Sequence, residues 1–202
     1  MIRFSISVFV FAILLSICSS TNKVVDVDAI CKQTKDPSFC SNLLNSKPGG
    51  VGQDLVSLVQ YTLDVALSNT TNTVHLIEVL IAQNGSDVEA QFHYNVCYRR
   101  FVSVIGGIVN ARESLKLRDY YNAISSVSYI RLMIDYCLKA SGPGEPPYHG
   151  NPMVPKYADV VDQVAIIMDF ILRKICDDKS HYNLCFFTTS TKWVIDPSKY
   201  YR

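Results

Sequence analysis

Three stretches of this 202-residue chain repeat apolar residues at alternating spacings of three and four, the mark of helices that bury one stripe and expose the rest. The clearest runs through Cys97, Phe101, Val104, Ile108, Ala111 and Leu115. The next holds Tyr120, Ala123, Val127, Ile130, Ile134 and Cys137, and the third Val161, Val164, Met168, Ile171 and Ile175. A fourth stretch, from Asp54 to Ile81, carries Val56, Val59, Leu63, Ala66, Ile77 and Ile81. Its middle, Asn69-Thr70-Thr71-Asn72-Thr73, is poor in helix formers, which predicts a bend or break. Strand signals are scarce, so the pattern predicts an all-α chain.

Turn residues divide these stretches. Asn84-Gly85-Ser86-Asp87 separates the first helix from the second, and Leu117-Arg118-Asp119 makes a tight corner before the third. The Pro- and Gly-rich run from Ser141 through Pro155 is expected to be non-helical. Four helices joined in this way predict an up-down bundle. Ahead of it, Asp36 followed by Pro37 is a helix start, because a capping oxygen precedes a residue with no amide hydrogen to leave unpaired. A short helix over 37–45 should fold back on the one before it, giving an N-terminal helical hairpin. Gly106-Gly107, inside a helical stripe, reads as a close helix approach or a kink.

The first twenty residues change the setting. Arg3 is their only charge, ahead of an apolar run from Ile6 to Ile17 that ends in Ser19 and Ser20, the layout of a secretory signal peptide over 1–20. The run is shorter than the roughly twenty residues a membrane span needs. Losing it removes Arg3 and no acid, so 19 basic and 18 acidic residues become 18 of each. A neutral chain with no basic run longer than Arg99-Arg100 has no footprint for nucleic acid. The expected mature protein is one domain over 24–177 with a tail over 178–202, free of the membrane after cleavage.

Secretion also decides how to read the cysteines. Of the 7 present, Cys18 leaves with the signal, and the remainder enter an oxidising compartment. Cys97 and Cys137 both lie on buried stripes, each about 30 Å of helix from the corner near Arg118, so an antiparallel hairpin brings them level. Cys31 and Cys40 flank the Asp36-Pro37 turn and would staple the small hairpin; Cys176 with Cys185 is the default for the last pair, against an intermolecular bridge or free thiols. A metal site of His93, Cys97 and Cys137 is the sharper alternative, but the close ligand pairs of structural zinc are missing. His93 reads as a helix-surface histidine, and neither metal nor cofactor is expected. Asn69 and Asn84 open glycosylation sequons.

Catalytic signatures are missing as well. There is no G-x-S-x-G elbow, no H-E-x-x-H and no phosphate-cradling glycine loop. Glu113, Asp135, Asp162 and Asp169 fall on separate solvated faces, and His75, His149 and His181 have no triad-like partners. A secreted, bridged bundle without a site favours a module that binds another protein.

The segment Ile30-Cys31-x-x-Thr34-x-x-Pro37-x-Phe39-Cys40 resembles the opening motif of the plant pectin methylesterase and invertase inhibitor family, and Cys97, Phe101, Ala111, Leu115, Asp119-Tyr120, Ser128 and Cys137 follow that family's bundle pattern. The resemblance covers residues 27–176. It implies a disulfide-stapled four-helix bundle that docks on a cell-wall enzyme in the apoplast and occludes its active cleft. Arg118-Asp119-Tyr120 stands where invertase inhibitors tend to carry Pro-Lys-Phe, so the chain is more similar to the pectin methylesterase branch. Acid invertase is the alternative target; a helical module without inhibitory activity, or a detached pro-region, is the alternative of another class. The implied contact residues are Asp119, Tyr120, Ser128, Arg131 and Leu132. The family's small Ser-Ala-Ala-Leu-Thr stretch is here Ser128-Tyr129-Ile130-Arg131-Leu132, a bulkier surface.

Overall fold

Six helices in chain order make up the computed structural model, which describes residues 25–52, 54–139, 147–177 and 185. They are α1 (Val27–Cys31), α2 (Pro37–Asn45), α3 (Leu55–Gln83), α4 (Val88–Lys116), α5 (Tyr120–Leu138) and α6 (Met153–Asp177). The expected signal segment over 1–20 and the expected tail, apart from Cys185, lie outside the described residues.

Aspartate starts five of the six. Asp26, Asp36, Asp54, Asp87 and Asp119 each accept a backbone N–H from the first turn of the helix that follows. Each carboxylate satisfies an amide with no intrahelical partner and sits at the positive end of the helix dipole. At α6 the amide of Asn151 substitutes, its Oδ1 accepting from Met153 N at 2.9 Å. This helix begins two residues before Pro155, which corrects the expectation of a non-helical run through Pro155. In the first turn proline gives up an amide that has no acceptor anyway.

The expected bend at Asn69–Thr73 is also corrected, because α3 is continuous. Asn69, Thr70, Thr71 and Thr73 each donate from the side chain to the carbonyl four residues back, at 2.7–2.9 Å. These polar groups, which elsewhere compete for the backbone, bond along the helix instead. That lets Thr70 and Thr73 sit fully buried on the core stripe.

The bundle closes as a ring: α4 packs most extensively on α5, α3 on both α4 and α6, and α6 on α5. Phe101, Ile108, Ile130, Leu63, Met168 and Ile171 are fully buried at its centre. The α1–α2 hairpin rests on α6. Cys31–Cys40 joins its two helices, Cys97–Cys137 bridges α4 to α5 with Cα atoms 4.5 Å apart, and Cys176–Cys185 ties the end of α6 to the chain beyond it.

His93 is not on the surface. It is 4% exposed, edge-on to Tyr148 at 6.0 Å and Phe92 at 5.6 Å. Helical spacing pointed inward, since His93 lies four residues before Cys97 on the buried stripe of α4; its polar side chain suggested the surface, and the ring that covers it arrives from the segment between α5 and α6. Tyr148 donates to the Asn151 carbonyl and Asn151 N donates to the Tyr94 hydroxyl, so this segment is held onto the start of α4. Burial, assisted by the neighbouring Tyr94, pushes the ionisation of Tyr148 well above the usual tyrosine range.

The corner between α4 and α5 is a Schellman turn. Asp119 N donates to the Ser114 carbonyl at 2.9 Å and Arg118 N to that of Leu115 at 3.1 Å, the paired 6→1 and 5→2 bonds of that motif. Arg118 carries a φ of 57° at the position where glycine is favoured, and a β-carbon there is strained. Arg118→Gly is therefore expected to stabilise the fold by about 0.5–1 kcal/mol, read as a higher denaturant midpoint at unchanged slope. An unchanged or lower midpoint would show that the arginine side chain makes contacts that outweigh the strain.

Candidate functional site

The outward face of α4 and α5 differs chemically from that of α6. Between Arg100 and Arg112, α4 carries no charged residue, and between Asp119 and Arg131, α5 carries none. The two stretches lie side by side, since a β-carbon on Gly107 would stand 2.8 Å from Ile130 Cγ1. In contrast, α6 exposes Lys156, Asp159, Arg173 and Lys174, and pairs Arg173 with Asp169. Loss of charge at the centre of a patch is the compositional mark of a protein interface.

Along the solvent side of α5 stand Tyr121, Ser125, Ser128, Tyr129 and Leu132, with Tyr121 at 39%, Tyr129 at 43% and Leu132 at 43% exposed. Between this ridge and α4 runs a shallow groove of about 540 Å³ whose walls include Asn110, Ser114, Asn122, Ser126 and Tyr129. The Tyr129 ring leans over Gly107, its Cδ1 being 3.2 Å from where a β-carbon would be, so the glycine sets how deep that ring lies. At the far end of the groove, the Arg100 guanidinium stands over the Tyr136 ring at 5.2 Å.

The residues expected to make contact are distributed unevenly over this face. Ser128 and Leu132 are exposed on the ridge. Arg131 is on its edge, donating from Nε to Asp162 Oδ1 of α6 at 2.9 Å. Asp119 is at the corner, where one oxygen accepts from Asn122 N at 3.0 Å and the other from Asn122 Nδ2 at 2.6 Å, so it serves α5 as a cap. Tyr120 requires correction: it is 2% exposed and part of the core. It heads the buried stripe of α5, and that stripe decides where its ring goes. Burial raises its ionisation, outweighing the opposite pull of Arg118.

Tyr121, Ser125 and the groove residues Asn122 and Ser126 were missed by sequence reasoning that followed motif positions. Their signal was present as an unbroken run without charge on the face opposite the apolar stripe. No histidine lines the groove, and among the described residues no cluster of His, Cys, Asp or Glu could hold a metal ion. Nor is any described helix long and apolar enough to cross a membrane.

Residues 25–164 match the family model for plant invertase/pectin methylesterase inhibitors. The pectinesterase inhibitor of Actinidia deliciosa is 24% identical over 153 residues, 72% of this chain and 78% of that one. Pectinesterase inhibitor 1 of Arabidopsis thaliana is 30% identical over 113 residues, covering 56% of this chain and 62% of its own length. In fold, the chain is similar to the crystal structure of a mutant form of a pectin methylesterase inhibitor from Arabidopsis, with a TM-score of 0.62 and 24% identity over 73% of this chain and 95% of the other. A second Arabidopsis pectin methylesterase inhibitor structure gives a TM-score of 0.54 at 23% identity, over 77% and 96% of the two chains.

The floor of the groove yields a test. Gly107→Ala is expected to destabilise the fold by about 1–3 kcal/mol, because the added methyl would stand 2.8 Å from Cγ1 of the fully buried Ile130 and packed cores tolerate such overlap poorly. Gly106→Ala, where a β-carbon meets nothing within 4 Å, should leave dilute protein unchanged or up to about 1 kcal/mol more stable. Equal midpoints for the two variants in thermal unfolding would mean that α4 and α5 are not in close contact here.

Proposed function

The chain belongs to the plant invertase/pectin methylesterase inhibitor family, whose members block enzymes and are not catalysts, and from that premise we propose that it inhibits pectin methylesterase. It does so by seating the α4–α5 face over the enzyme's active cleft. The observation that carries this reading is the uncharged ridge with Tyr121, Tyr129 and Leu132 exposed, beside a groove whose carboxylates, Glu113 and Asp119, are already engaged by Lys116 and Asn122. Tyrosines presented on rigid helices are enriched among the few residues that carry most of the binding free energy of an interface, and neighbouring apolar contacts such as Leu132 help to exclude water around them. The chain requires no chemistry of its own, since occupying the cleft is sufficient.

The choice of target is supported by the relatives, which are pectinesterase inhibitors, and by Arg118-Asp119-Tyr120 in place of Pro-Lys-Phe. Secretion is supported by the leader over 1–20 and by three disulfides that require an oxidising compartment. Glycans at Asn69, within α3, and at Asn84, which ends it, would leave the α4–α5 face open.

Titrating the refolded protein against a plant pectin methylesterase and an acid invertase tests the assignment. Pectin methylesterase activity should fall, invertase activity should not, and moderate salt should change the potency little, because the face holds few charges to screen. Tyr129→Ala and Leu132→Ala should each weaken inhibition by about tenfold or more at unchanged helix content. Full potency of both variants would show that the contact lies elsewhere; loss of invertase activity alone would give the chain the other target.

A further inference from the structure

Besides its core stripe, α4 carries a second stripe that points to solvent: Arg99, Val102, Gly106, Val109 and Glu113, again at alternating spacings of three and four. All five are exposed, Val102 at 45% and Val109 at 48%. Gly106 at its centre is not explained by the bundle. A glycine inside a helix costs about 1 kcal/mol relative to alanine, and a β-carbon here would meet nothing within 4 Å. The adjacent Gly107 is explained by Ile130 and Tyr129; no contact within this fold accounts for Gly106.

We propose that this stripe, which forms the α4 side of the face proposed to dock on pectin methylesterase, pairs in the absence of the enzyme with the same stripe of a second copy, the two α4 helices running antiparallel with a two-fold axis at Gly106. Arg99 and Glu113 lie seven positions before and after Gly106, about 10 Å along the axis in each direction. An antiparallel copy therefore sets each Arg99 opposite the partner's Glu113, with Val102 and Val109 of the two copies filling the layer between. Charge, valine, glycine, valine and opposite charge are self-complementary on reversal, as a closed two-fold interface requires. A parallel arrangement would set Arg99 against Arg99. Glu113 already accepts from Lys116 at 2.7 Å, but that pair is exposed, and exposed pairs of this kind are weak. A single helix pair buries less than the roughly 1,000 Å² of a stable complex, so the dimer is reversible and forms only at high concentration.

Sedimentation equilibrium of the mature chain, from low-micromolar to near-millimolar protein, tests this. The mass should rise from monomer towards dimer. Arg99→Glu and Glu113→Arg should each weaken dimerisation on the order of tenfold, and the double swap should restore it, with circular dichroism unchanged throughout. Gly106→Gln should hold the chain monomeric. A monomer at every concentration would overturn the proposal, as would a double swap no better than its singles. So would a Gly106→Gln variant that keeps the wild-type mass but no longer inhibits pectin methylesterase, since the stripe would then belong to the enzyme.

Discussion

The antiparallel pairing of α4 with α5 is the constraint on which the rest of the molecule depends. It is fixed at three levels: the Cys97–Cys137 bridge, the Gly107–Ile130 contact and the Schellman corner at Arg118. The bridge spans 40 residues, which in the chain-entropy model is worth about 4 kcal/mol. Against a total stability of about 5–15 kcal/mol for a domain, that one bond is a substantial share. Cys176–Cys185 spans only 9 residues, for which the same model gives about 2.6 kcal/mol.

This pairing is also what gives the proposed docking face its form. Two helices held at fixed depth and register present Tyr121, Tyr129 and Leu132 on a surface that does not have to be ordered on binding, which limits the entropic penalty of association. Charge is kept to the margins, where it ties helices together: Arg131 to Asp162 between α5 and α6, and Arg112 to Asp64 between α4 and α3, at 2.6 Å. An inhibitor that works by filling a cleft needs shape and rigidity, and the bundle supplies both without a reactive group.

The architecture was legible in the sequence wherever one stripe of a helix decides everything. The core residues of α4, α5 and α6 follow from their spacing, and Asp36-Pro37 announces α2. Where a second element intervenes, local reading fails. Side-chain bonds to the preceding turn carry α3 through a run that propensity alone would break, and a segment distant in sequence closes over His93. The site was half legible. Family motif positions led to Ser128 and Leu132 on the ridge, but also to Tyr120, whose place on the apolar stripe puts it in the core. The better guide was the pair of adjacent charge-free stretches on α4 and α5 together with the exposed rings of Tyr121 and Tyr129, since α3 has a charge-free stretch of its own over 65–77 and lack of charge alone does not single out a face.

The α4–α5 bridge, more than the bridge at the end of α6, holds the proposed docking face in shape. This is tested most directly by comparing equilibrium unfolding of a variant with Cys97 and Cys137 both replaced by Ala against one with Cys176 and Cys185 both replaced. Loss of the α4–α5 bridge should cost about 1–1.5 kcal/mol more than loss of the bridge at the end of α6. An equal or larger loss from the second variant would contradict the account.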